Sequence, residues 1–107
     1  MNINRCITLL KADKRINDLH IKNVLSALYL NDSIKEDEKQ LRKITSSDKY
    51  FNGYKITEML IDDLVSTIKD KKEYLFSLPD YVPVICKQVL NVKIKVKPKQ
   101  SNDIMLN

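Results

Sequence analysis

The sequence predicts one α+β domain, mainly helical, with four to five helices and a small antiparallel β element. Three observations carry this reading. Apolar residues recur at helical spacing in five stretches. Asn52-Gly53, set between aromatic and apolar residues, is a strong two-residue hairpin signal, because both turn positions need positive φ. The run Val92-Lys93-Ile94-Lys95-Val96-Lys97 alternates with period two, as a strand does. A length of 107 residues fits a single domain over 1–107, with the patternless residues 100–107 expected to be disordered.

The first helix places Ile3, Cys6, Ile7 and Leu10 on one face, with Asn2 or Asn4 as N-cap and an end near Asp13. The second, opened by Asp13, carries a broad stripe of Ile16, Leu19, Val24, Ala27 and Leu28, widened by Ile21 and Leu25. That breadth marks the most buried helix. Asn31-Asp32-Ser33 is expected to stop it. A third helix then starts on the capping box Ser33-Ile34-Lys35-Glu36, worth about 1 kcal/mol. Its stripe of Ile34, Leu41 and Ile44 is thin, as in an outer helix, and it ends near residues 45–48.

Residues 49–56 read as a hairpin that puts Phe51, Tyr54 and Ile56 on one face, with Asn52 as a cap for the next helix the competing reading. The fourth helix, capped by Thr57, runs Ile61, Leu64, Val65, Ile68 and Leu75 to about Phe76, before Pro79. The fifth starts at Pro83, carries Val82, Ile85, Cys86 and Val89, and ends near Leu90. The strand 92–97 follows, expected to turn Val92, Ile94 and Val96 inward against the hairpin and the fourth helix.

Composition excludes more than it proposes. Hydrophobic residues make 43% and charged residues 31% of the chain, a balance that suits a globular fold rather than a disordered one. No apolar run approaches the ~18 residues of a membrane helix, and the stretch Met1–Leu10 has neither an h-region of adequate length nor a small-residue cleavage site, so a cytoplasmic location is expected. With one glycine, the chain lacks both phosphate-cradling motifs, and no cofactor is expected. Two cysteines and one histidine are too few for a structural zinc site. Cys6 and Cys86 each lie among aliphatic residues and read as reduced, buried thiols. Ile, Lys and Asn together supply about a third of the residues, a bias typical of AT-rich genomes and a weak pointer to a phage or plasmid; the compartment is then the host cytoplasm.

No catalytic set emerges. Asp62 and Asp63 point about 100° apart on a helix, the thiols are apolar, and His20 reads as a structural residue at the edge of a stripe. The expectation is a protein that is not an enzyme. A helix-turn-helix built from the second and third segments would present Glu36, Asp37 and Glu38 to DNA, which a polyanion disfavours.

The net charge of +5 is unevenly spread. Residues 1–83 carry 14 basic and 13 acidic side chains, residues 84–107 five lysines and one aspartate. Lys87, Lys93, Lys95, Lys97 and Lys99 are therefore the candidate nucleic-acid contacts, with successive lysines ~6.6 Å apart along one strand face. No arginine or aromatic residue is interleaved with them, and lysines on an edge strand also guard against aggregation.

Tyr50, Tyr74 and Tyr81 fall outside the clear stripes and are the candidate partner-binding anchors, tyrosine being enriched at interface hot spots. The leading expectation is a small non-enzymatic regulator or inhibitor of phage or plasmid type, acting on a larger protein. The alternative is a nucleic-acid-associated protein that touches phosphates through its C-terminal lysines, and a virion or plasmid structural subunit is a third possibility.

Overall fold

The computed structural model describes residues 2–46 and 55–97. They form four helices, α1 (Ile3–Ala12), α2 (Asp18–Thr45), α3 (Lys55–Ser77) and α4 (Tyr81–Leu90). There is no strand among the described residues, so the expected α+β class is corrected to all-helical.

Helix α1 follows its sequence signals. Asn2 caps it by accepting from the Arg5 N–H at 3.1 Å, and Cys6 and Leu10 are buried. Asp13 closes α1 instead of opening α2. Its carboxylate accepts from the guanidinium of Arg15 at 2.7 and 3.0 Å and from the Arg15 N–H at 2.9 Å. Those bonds hold the Asp13 carboxyl down at about 2. The N-cap of α2 is Asn17, in a reciprocal box with His20. Asn17 Oδ1 accepts from the His20 N–H at 2.9 Å, and His20 Nδ1 accepts from the Asn17 N–H at 3.2 Å. The single histidine thus satisfies one of the donors that a helix N-terminus leaves open.

The expected second and third helices are one. α2 runs 28 residues, about 42 Å at 1.5 Å per residue, straight through Asn31-Asp32-Ser33. The span Asp18–Thr45 contains neither glycine nor proline, so nothing in it forces a break. The polar triplet that reads as a stop finds tertiary partners. Asn31 is only 2% exposed, and its Oδ1 accepts from the Lys95 N–H at 2.8 Å. Ser33 Oγ accepts from Lys71 Nζ at 2.6 Å, and the same ammonium reaches Asp37. No capping box forms at Ser33–Glu36, and the helix-turn-helix has no turn.

Among the described residues, helices α2 and α3 share the most extensive contact. Lys71 lies against Ser33 and Asp37 while Tyr81, just beyond α3, reaches Asn23, so the two helices run antiparallel. The core gathers at one end of this pair. It takes Val24, Ala27, Leu28 and Ile34 from α2, Ile68 and Leu75 from α3, Val82 and Cys86 from α4, and Cys6 and Leu10 from α1. Beyond Ile34 the pair continues outward, with Leu41, Ile44, Ile61 and Leu64 half-buried and Met59, Leu60 and Val65 exposed. Pro83 sits in the first turn of α4, where its missing N–H has no helical partner to lose.

Asn91 ends α4 in the left-handed conformation, φ 56°, which asparagine tolerates better than most residues. The turn brings the Val92 N–H onto the Cys86 carbonyl at 2.9 Å and sends the chain back across the core. Residues 92–97 form no strand. They are a strap held by side chains: Ile94 is buried, the Lys95 N–H is held by Asn31, and Lys95 Nζ lies 3.4 Å from Glu38. The strap buries Ile94 between the exposed Lys93 and the half-buried Lys95, and one buried residue flanked by lysines is enough to resemble a strand in sequence. Val92 is half-buried and Val96 exposed, so the expected inward face reduces mainly to Ile94. Of the expected hairpin at 49–56, residues 49–54 lie outside the described residues, and Lys55 and Ile56 begin α3. The expectation of disorder at 100–107 also falls outside them.

Glu38 joins three elements, with Oε2 3.2 Å from Lys72 and Oε1 3.4 Å from Lys95. Burial pushes its carboxyl up, but the two lysines outweigh burial and hold it below the ordinary value of 4.5. A carboxyl depressed on folding contributes stability above its unfolded pKa and loses it as pH falls through the folded one. Acidification from about pH 6 to about pH 3 should therefore cost the native chain more stability than it costs a Glu38→Gln variant. Urea unfolding at a series of pH values checks this.

Candidate functional site

On the described surface, two of the most exposed aromatic residues meet apolar and charged groups at one face. Tyr29 on α2 is 72% exposed and Tyr74 on α3 is 58% exposed. Together with Leu25, Ser26 and Leu30 they line an open hollow between the two helices. The antiparallel packing of α2 on α3 brings these rings to one wall. Each lies outside its helix's buried stripe, so the core does not consume it. On its other side Tyr29 also borders a second hollow, with Ile3, Asp32, Ser33, Glu36 and Asp37. Ile3 is an exposed aliphatic residue at the start of α1. The patch is thus built from three helices and centres on Tyr29.

Of the sequence-nominated tyrosines, Tyr74 lies in this patch. Tyr81 lies elsewhere, half-buried at the start of α4. Its hydroxyl accepts from Asn23 Nδ2 at 2.6 Å, and its ring meets His20 edge-to-face at 4.5 Å. Such paired geometry anchors α4 to α2. Tyr50 falls outside the described residues. Tyr29 was missed by sequence reasoning. Its signal was an aromatic residue one position beyond Leu28, turned about 100° off the buried stripe.

The nominated lysines do not form one ladder. Lys87 is exposed on α4, and Lys93 and Lys97 are exposed on the strap. Lys95, between them, is half-buried and committed to Glu38. Lys99 lies outside the described residues.

The remaining chemistry is quiet. Among the described residues, no three His, Cys, Asp or Glu side chains converge as metal ligands would. Cys6 and Cys86 are free thiols, both buried. Burial, reinforced by the neighbouring Cys6, pushes the Cys86 thiol up to about 11. The thiolate is the reactive form, so a thiol reagent at about pH 8 should leave Cys86 unmodified in the folded chain and label it on unfolding. Mass spectrometry with and without denaturant checks this. Among the described residues no helix is long and apolar enough to cross a membrane. No family model, no curated protein and no solved structure matches this chain.

Proposed function

We propose that this chain is a non-enzymatic binding protein, a regulator or inhibitor of phage or plasmid type, that acts by seating on a larger protein through the face centred on Tyr29 and Tyr74. The observation that carries the reading is the pair of exposed tyrosines sharing one apolar hollow. Rigid aromatic side chains bury large area for little conformational entropy, which makes them effective interface anchors. Both rings leave most of their surface in water.

The test is affinity capture from the native host with the full chain and with Tyr29→Ala and Tyr74→Ala variants. Both positions are exposed, so the variants should keep the native unfolding midpoint while losing the partner, by more than about 1 kcal/mol for an anchor. Partner capture unchanged in both variants overturns the proposal.

The alternative, phosphate contact through the C-terminal lysines, has less support. The pairing of Lys95 with Glu38 interrupts the run, and Lys87, Lys93 and Lys97 remain exposed. If those lysines grip a duplex, binding weakens with salt with a slope near −0.9 per phosphate contacted, and replacing Lys93 and Lys97 by alanine flattens it.

A further inference from the structure

Resting on that reading of the Tyr29–Tyr74 face, we infer that it receives a cationic amphipathic segment of the partner. An apolar side chain of the segment enters the hollow between α2 and α3, and a Lys or Arg one or two helical turns away meets Asp32 and Glu36. Tyr29 walls both hollows, and that shared wall ties the two chemistries together. On one side the lining is Leu25, Ser26, Tyr29, Leu30 and Tyr74, with no charged group. On the other, Ile3, Tyr29 and Ser33 accompany three carboxylates, Asp32, Glu36 and Asp37, with no cation in the lining.

The three carboxylates are not equivalent. Asp37 is neutralised by Lys71. Asp32 and Glu36 are exposed, and neither belongs to an ion pair among the described residues. With Tyr29 they stand at i, i+3 and i+7, one stripe of α2. Glu36 therefore lies about 10 Å along the axis from Tyr29, at 1.5 Å per residue. An amphipathic helix laid along a groove presents its anchors at the same i, i+3, i+4, i+7 spacing. A single contiguous segment can thus fill the apolar hollow and reach both carboxylates. Residues 1–83, these carboxylates included, carry 14 basic and 13 acidic side chains, so no large excess of either sign masks a local cluster. The two unpaired carboxylates therefore supply a local field that selects the sign of the partner and fixes its direction in the groove.

The test uses the full chain and two labelled synthetic peptides of equal length and identical apolar pattern, one of Leu and Lys, the other of Leu and Glu. Fluorescence anisotropy at physiological salt should show the Leu/Lys peptide binding at least about tenfold tighter, equivalent to ~1.4 kcal/mol. Tyr29→Ala should weaken binding of the Leu/Lys peptide, and the double variant Asp32→Asn/Glu36→Gln should remove the preference between peptides. Four results overturn the inference. They are equal or reversed affinities, absence of binding, binding of the Leu/Lys peptide indifferent to those substitutions, and concentration-dependent self-association abolished by Tyr29→Ala, which assigns the face to a second copy. If the peptides bind equally while Tyr29→Ala still loses the native partner, the binding face stands and its cationic occupant does not.

Discussion

Replacing Lys35 by proline should destabilise the chain by about 3 kcal/mol or more, although Lys35 is exposed and touches nothing essential. The reason is the continuity of α2. At position 35 a proline removes the N–H that bonds to the Asn31 carbonyl and drives its ring into that carbonyl. The resulting kink also displaces the Asn31 side chain, which holds the strap at the Lys95 N–H. Lys35→Ala should change little, alanine being the best helix former. If the chain instead broke at Asn31-Asp32-Ser33, Lys35 would stand in the first turn of a new helix, where its N–H has no helical partner and proline is tolerated. Urea unfolding followed by circular dichroism separates the two cases, and a proline cost under about 1 kcal/mol rejects the continuous helix.

The second large effect is expected at Ile34. Its side chain is fully buried, at 0% exposure, where α2 meets the rest of the core. Ile34→Ala should cost about 2–5 kcal/mol and Ile34→Val about 0.5–1.5 kcal/mol, the transfer and cavity terms of a close-packed site. For a domain of this size the alanine variant should melt about 10 °C lower or more. A thin-striped outer helix starting at Ser33 would place Ile34 at its rim, with a correspondingly small loss. A loss under about 1 kcal/mol would return Ile34 to such a rim.

Part of the candidate site was legible before the structure. Tyr74 stood out because it falls outside the stripe of α3, which the periodicity locates well. Tyr29 did not, because it sits beside Leu28 in an apolar stretch, and composition does not show which side of a long helix remains uncovered. That depends on where α1 and α3 dock. The lysines of the strap illustrate the converse. Their alternation is plain in sequence, yet the pairing of Lys95 with Glu38 joins residues 57 positions apart, and no local pattern encodes it.

The sequence by itself determined that the chain is mainly helical and where α1, α3 and α4 lie to within a few residues; of the first two apolar stripes, Cys6, Leu10, Val24, Ala27 and Leu28 enter the core, while Ile3 and Leu19 stay exposed. These features follow from side-chain spacing and from proline and capping chemistry, which act within a few residues along the chain. Only the tertiary structure decided that α2 runs unbroken, that residues 92–97 are a strap rather than a strand, and that Tyr29 and Tyr74 share a wall. Asn31, Asp32 and Ser33 are weak stop signals. Each is compatible with a helix once its polar atoms are satisfied, and the partners that satisfy Asn31 and Ser33 are Lys95 and Lys71, far away in sequence. A backbone donor needs an acceptor but does not specify its source. The amide of an asparagine on α2 serves the Lys95 N–H as a neighbouring strand would have done.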